Sequence, residues 1–194
     1  MNKCNIKDIN LIKSYTNNNK IIVIPTDTIY GVGCNIKSYK KIIELKKRKL
    51  KPLAIVCHNF ETMCKIIEIP LKYYSVLNKL LPGDITIVGK TKNSKYSINK
   101  GYITTGVRIP NHPSLLDALK ETGPLVLSSA NISGQSETYD IKTANQIFGN
   151  GVDLYVENDQ QLSKTASTVI NIDTLEIYRK GHNWEEILFA LKSL

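Results

Sequence analysis

The sequence predicts an α/β fold in which a mixed sheet is flanked by helices, and three observations carry that reading. Short continuous apolar runs that suit buried strands alternate with segments whose apolar residues recur at helical spacing. Two late strand-like runs are separated by Asp173 and Thr174 alone, which makes them an antiparallel hairpin among otherwise alternating elements. The chain has 194 residues, enough for one compact domain, and a single unit over 1–194 is expected.

Along the chain, Ile6, Ile9, Leu11 and Ile12 lie at helical spacing ahead of the polar stretch 16–20, predicting an opening helix over 6–15. The apolar run 21–24 stops at Pro25 and predicts a buried strand feeding a loop. Ile42, Ile43 and Leu45 predict a helix over 38–47, and Leu53 to Val56, after Pro52, a further buried strand. A helix is expected over 70–81, closed by Pro82 and Gly83, then a strand over 85–88. The Asn/Ser/Lys-rich segment 91–100 predicts a surface loop. Beyond it, strands over 106–109, 125–128, 152–156, 168–172 and 175–179 alternate with helices over 114–121, 141–148 and 184–191.

Composition narrows the function classes. At 42% hydrophobic residues the chain is not of the disordered kind, and no run approaches the ~20 apolar residues of a membrane-spanning helix. Its opening, MNKCNIKDIN, is polar where a secretory signal needs an apolar stretch, so a cytoplasmic protein is expected. Lys and Arg number 26 against 17 Asp and Glu, a formal +9 that favours an anionic partner: nucleic acid, nucleotide or acidic membrane surface. The densest cluster, Lys46, Lys47, Arg48, Lys49 and Lys51, suits either anion capture or a solvated helix end whose cations complement the dipole. Cys4, Cys34, Cys57 and Cys64 show no C-x-x-C spacing and His58, His112 and His182 lie far apart, so no zinc site is expected and the thiols should stay reduced.

Five segments carry candidate chemistry. PTDTIYGVG at 25–33 leaves a buried strand with hydroxyls, a carboxylate and glycines, which fits a ligand loop or an ordinary strand-turn; no Walker loop or dinucleotide fingerprint is present. ELKKRKLKPLAIVCH at 44–58 sets Lys46 and Arg48 two apart, so both cations can converge on one anion. TTGVRIPNHP at 104–113 puts Arg108 in mid-strand between Val107 and Ile109, where it must meet either a bound anion or an internal carboxylate. LSSANISG at 127–134 places hydroxyls and an amide beyond a strand end, without the surroundings of a hydrolase triad. TASTVINIDTLEIYRKG at 165–181 adds Ser167, Thr168 and Arg179 around the hairpin.

In order and spacing these segments, with LLPGDITIV at 80–88, resemble the YrdC-like family, the threonylcarbamoyl-AMP synthases, over essentially the whole chain. Lys46 with Arg48 matches the family's Lys-x-Arg pair, and Ser129 with Asn131 its Ser-x-Asn pair. The resemblance implies a twisted mixed sheet with a concave basic cavity, of the short stand-alone type. It implies a nucleotidyltransferase that condenses L-threonine, bicarbonate or carbon dioxide and ATP to threonylcarbamoyl-adenylate and pyrophosphate, the first step of threonylcarbamoyladenosine formation in tRNA.

Carried over residue by residue, the catalytic pairs are Lys46, Arg48, Ser129 and Asn131, and ATP would also meet Lys51, Thr104 and Arg179. L-Threonine would meet Thr28, Arg108, Ser167 and the backbone at Leu127. Mg2+ would arrive with ATP, held mainly by phosphates and water. The implied partner is a downstream threonylcarbamoyl transferase complex acting on tRNA, with weak RNA binding and no membrane. This chain departs from the pattern at three places: the segment from Arg48 to Pro52 is one residue shorter than in many relatives, Val56 stands where some place a threonine-contacting histidine, with His58 two residues beyond, and Ser136 and Glu137 replace a proline and a hydroxyl residue. Two rivals remain in view. A non-catalytic RNA-binding protein would account for the charge, although aromatics are only 7% and no stacking motif is present. A carbamoyl-transfer domain of the hydrogenase-maturation kind shares the fold, but its acylphosphatase-like and zinc-bearing segments are missing here.

Overall fold

Residues of a strand point alternately to the two faces of a sheet, and in this chain the two faces are covered unequally. The structure, a computed structural model, describes residues 1–46, 52–132 and 134–193. Its strands are β1 (Lys3–Asn5), β2 (Ile22–Pro25), β3 (Tyr30–Asn35), β4 (Ala54–Val56), β5 (Ile85–Lys90), β6 (Thr104–Arg108), β7 (Leu125–Ser129), β8 (Leu154–Glu157), β9 (Thr168–Asn171) and β10 (Ile177–Arg179). The helices are α1 (Ile9–Asn17), α2 (Tyr39–Leu45), α3 (Phe60–Ile66), α4 (Tyr74–Leu80), α5 (Pro113–Thr122), α6 (Ile141–Phe148) and α7 (Trp184–Lys192). All ten strands join one sheet in the order β1-β8-β2-β3-β7-β4-β6-β5-β9-β10. It is mixed as expected: β4 with β6 and β5 with β9 run parallel, whereas β2–β3, β3–β7, β5–β6 and β9–β10 are antiparallel.

One face is sealed along its length. Val32, Ile55, Val107, Val126, Ile87 and Ile170 point into the main core, where Ile42 of α2, Met63 of α3, Leu77 of α4, Phe148 of α6 and Ile187 of α7 cover them. The opposite face is sealed from β8 as far as β4, where Ile22, Ile24, Leu125, Leu154 and Val56 pack with Ile12 of α1 and with Leu115 and Leu119 of α5. Among the described residues the strands β6, β5, β9 and β10 contribute nothing to that second core, and their residues on this face form a cavity wall.

Three elements escape the sequence patterns. β1 is three residues long, too short to show alternation, and exists because it pairs with β8 about 150 positions away in sequence. Ile6 continues that pairing through its amide to the Glu157 carbonyl (3.1 Å), so the first helix starts at Ile9 and not at Ile6. α3 is a seven-residue helix whose cap, the Asn59 side chain, accepts from the Thr62 amide at 2.8 Å. The segment 91–100 is also more than a surface loop: buried Asn99 accepts from the Leu53 amide (2.7 Å) and donates to its carbonyl (3.0 Å), pinning it to the residue just ahead of β4.

β3 is the most consequential omission, because its glycines read as loop while it is a central strand. A Cβ on Gly33 would lie 2.2 Å from Leu127 Cδ2 and 2.6 Å from the Val126 carbonyl oxygen, so glycine is what lets β3 and β7 close around the Leu127 side chain. Since the second obstacle is backbone, Gly33→Ala is expected to lower the unfolding free energy by ~1 to 3 kcal/mol in urea titration; an unchanged midpoint would show that the sheet can open there without cost.

Candidate functional site

Alternation along the uncovered strands builds a cavity of about 570 Å3. Its floor takes Ala54 and Val56 from β4, Thr86 and Val88 from β5, Thr104, Gly106 and Arg108 from β6, and Leu127 and Ser129 from β7. The intervening residues Ile55, Ile87, Val107 and Val126 are the ones buried in the main core. Among the described residues the wall contains two arginines, Arg108 and Arg179, and no carboxylate.

Arg108 is 7% exposed. Its Nη2 donates to Asp27 Oδ1 (2.8 Å), Nη1 to Thr28 Oγ1 (2.9 Å) and Nε to the Gly83 carbonyl (3.2 Å). These bonds use three of the five guanidinium N–H donors, so two remain for a ligand. Desolvation lowers the Arg108 pKa, and the Asp27 carboxylate opposes that fall. The turn that delivers Asp27 is locked by Thr26, whose hydroxyl donates to the Ile29 carbonyl (2.7 Å) and accepts from the amides of Thr28 and Ile29 (3.2 Å each).

Arg179 approaches from the edge strand. Its Nε donates to the Ser167 carbonyl (2.8 Å) and Nη2 to Ser167 Oγ (2.9 Å), and Ser167 Oγ in turn shares a hydrogen bond of 2.9 Å with Thr86 Oγ1. Desolvation lowers the Arg179 pKa; Glu137 opposes the fall and the positive charge of Arg108 adds to it.

A third cluster lies at the β7 end. Lys46, the C-cap of α2, is 2% exposed and donates to Ser128 Oγ (2.9 Å), to the Ser129 carbonyl and to Asn131 Oδ1 (3.4 Å). Ser129 Oγ donates to Asn131 Oδ1 (2.7 Å), and the Asn131 amide donates to the Gln135 carbonyl (2.6 Å). The lysine and the Ser-x-Asn pair thus form one hydrogen-bonded group that holds an ammonium at a fixed place. A second cavity, of about 700 Å3, lies beyond Asp27 and Thr28; with Asp27, Asp84 and Glu186 in its wall it suits an anion less well. Among the described residues no three His, Cys, Asp or Glu side chains converge on a metal position.

This geometry has counterparts. A family model covering Sua5, YciO and YrdC proteins and described as telomere recombination matches residues 14–181. The chain belongs to the Sua5/YciO/YrdC family. The threonylcarbamoyl-AMP synthase of Pseudoalteromonas translucida is 28% identical over 169 residues, 82% of this chain and 90% of that protein. The crystal structure of P. abyssi Sua5 complexed with L-threonine superposes with a TM-score of 0.86 at 24% identity, over 96% of this chain and 59% of that one. E. coli YciO superposes with a TM-score of 0.81 at 20% identity, over 93% of this chain and 94% of its own. The chain therefore spans well under two thirds of the P. abyssi protein and nearly all of YciO.

On this Sua5/YciO/YrdC fold, Thr28, Arg108, Ser167, Leu127, Thr104, Ser129 and Arg179 all line the cavity, and Lys46 and Asn131 bond to its Ser129 edge. Arg48 and Lys51 lie outside the described residues. Pattern reading passed over Asp27 and Thr86. Asp27 sits inside PTDTIYGVG, and the rule that a buried cation needs a carboxylate points to it once Arg108 is placed; Thr86 is the polar residue interrupting Ile85–Val88, the mark of a strand with an open face. Asp27→Ala leaves a buried guanidinium without its carboxylate, so a loss of ~3 kcal/mol in unfolding free energy is expected by denaturant titration, and less for Asp27→Asn, which keeps an acceptor. A loss below ~1 kcal/mol, the worth of an exposed pair, would show that Arg108 does not depend on it.

Proposed function

We propose that the cavity makes threonylcarbamoyl-AMP, as the named relative does, from L-threonine, bicarbonate or carbon dioxide, and ATP. The observation that carries this is the cavity wall itself: among the described residues it has two arginines and no carboxylate, and one of the arginines is buried with two donors unspent. Such a wall selects anions, and the substrates are an amino-acid carboxylate and a polyphosphate.

Arg108, preset by Asp27 and Thr28, takes the threonine carboxylate, with Ser167 and the Leu127 backbone completing that subsite. Its neutral α-amine adds to carbon dioxide and loses a proton, giving a carbamate. A carbamate oxygen then bonds to the α-phosphorus of ATP as the bond to the β-phosphate oxygen breaks, and pyrophosphate leaves with that electron pair. Lys46, Arg48, Lys51 and Arg179 stabilise charge on the phosphates, while Ser129, Asn131 and Thr104 position them. This is nucleotidyl transfer. The described wall lacks the oxygen anions of a protein-held Mg2+ site, so any magnesium would travel on the phosphates. The labile adenylate would pass to a transferase acting on tRNA in the cytoplasm. Among the described residues no helix is long and apolar enough to cross a membrane.

Labelled bicarbonate should enter an acid-labile adenylate only when both L-threonine and ATP are present, with pyrophosphate as the first inorganic product. Orthophosphate first, or no need for threonine, would sink the assignment. Arg108→Ala should weaken threonine binding by ~1.5 to 3 kcal/mol with a much smaller change for ATP in calorimetric titration; equal losses would make Arg108 structural. Lys46→Ala should cut adenylate formation more than tenfold, ~1.4 kcal/mol of transition-state stabilisation, with threonine affinity retained.

A further inference from the structure

β10 pairs with β9 so that Ile177 faces Ile170 and Arg179 faces Val169: two steps on one strand answer one on the other, a β-bulge. In a regular strand Tyr178 and Arg179 would point to opposite faces. Here both line the cavity.

Tyr178 is 54% exposed, yet it is not a loose surface ring. Its hydroxyl accepts from Asn171 Nδ2 at 3.1 Å. Asn171 is itself fixed, because its Oδ1 accepts from the amides of Asp173 (2.9 Å) and Thr174 (3.1 Å) in the hairpin turn. The ring is therefore tethered at both ends, by the strand and by the turn, and its ordering cost is met on folding and not on ligand binding. Two other tyrosines line the same wall. Tyr30 is sealed at 3% exposure, and Tyr102, at 47%, has no hydrogen bond from its hydroxyl among the described residues. Tyr178 is thus the exposed ring that the fold presets.

The bulge delivers this aromatic surface beside a guanidinium already anchored on Ser167. A ligand that uses both is planar and apolar at one end and anionic beyond it. We propose that Tyr178 is the nucleobase platform of the cavity, stacking on the base of the nucleotide whose charged part meets Arg179. The assignment rests on the ATP-dependent reading above and adds the residue that recognises the base.

The test is calorimetric titration of wild-type and variant protein with ATP, with ribose 5-triphosphate, which keeps the polyphosphate but has no base, and with L-threonine. Tyr178→Leu should weaken ATP about tenfold, within the range for loss of one base–aromatic stack. It should leave ribose 5-triphosphate, L-threonine and the melting temperature unchanged. Tyr178→Phe and Tyr178→Trp, which keep a ring, should hold ATP within about threefold of wild type. Equal weakening of ATP and ribose 5-triphosphate would mean a distorted site and would overturn the platform, as would an unchanged ATP affinity in Tyr178→Leu. Should Tyr178→Leu not fold, a tenfold or greater loss of ATP affinity in the ring-keeping pair overturns the proposal and retention supports it. Wild-type protein that binds ATP but forms no adenylate would end the synthase reading and leave the platform standing on the titrations. Protein that binds no ATP would end both.

Discussion

A guanidinium buried in the middle of a sheet has to be neutralised, and meeting that need organises the molecule. The cost of leaving it alone is several kcal/mol. Its carboxylate, Asp27, comes from the turn between β2 and β3, although β7 and β4 lie between β3 and the strand of Arg108. The turn must therefore reach across the open face of two strands. Thr26 makes this possible by satisfying the turn's own amides and the Ile29 carbonyl, which leaves Asp27 and Thr28 directed at Arg108. The motif PTDT works as a bracket for one arginine.

That bracket occupies ground a helix would otherwise cover. With α1 and α5 packed toward the β8–β2 side, the strands from β7 to β10 in sheet order keep a cavity on one face, and its wall mixes Thr86, Thr104, Arg108 and Ser129 with Val56, Val88 and Leu127, whereas the intervening Ile55, Ile87, Val107 and Val126 are in the main core. Small residues deepen the hollow. Gly106 already has Thr86 Cγ2 and the Ala54 Cβ within 3.3 and 3.7 Å of where its own Cβ would stand, so any side chain there would fill the floor.

How far the sequence can be read depends on how local each cause is. The helices over 70–81, 114–121, 141–148 and 184–191 and the hairpin strands were legible because their periodicity or turn chemistry lies within a few residues. β1 and β3 were not, since the first is defined only by its pairing with β8 and the second carries glycines whose reason is the distant Leu127 side chain. The site divides the same way. Arg108 shows as a cation in mid-strand between apolar neighbours, whereas Lys46 and the Ser129–Asn131 pair stand out only through their match to the family's paired motifs. Asp27 as Arg108's partner and the Thr86–Ser167 bond are meetings between segments about 80 positions apart, which no local pattern displays.

The two arginines are held in different ways, and the difference suits them to different anions. Arg108 has three protein bonds, a carboxylate against it and almost no exposure, so its two remaining donors have fixed directions. On the proposed reading this rigid pair of donors takes the threonine carboxylate. Arg179 has two bonds, both to Ser167, and stands on a three-residue edge strand, so its head is steered without being enclosed. On the same proposed reading this less enclosed head meets the larger and more variable polyphosphate. Because each guanidinium is desolvated and Arg179 also feels the charge of Arg108, an anion between them relieves both at once.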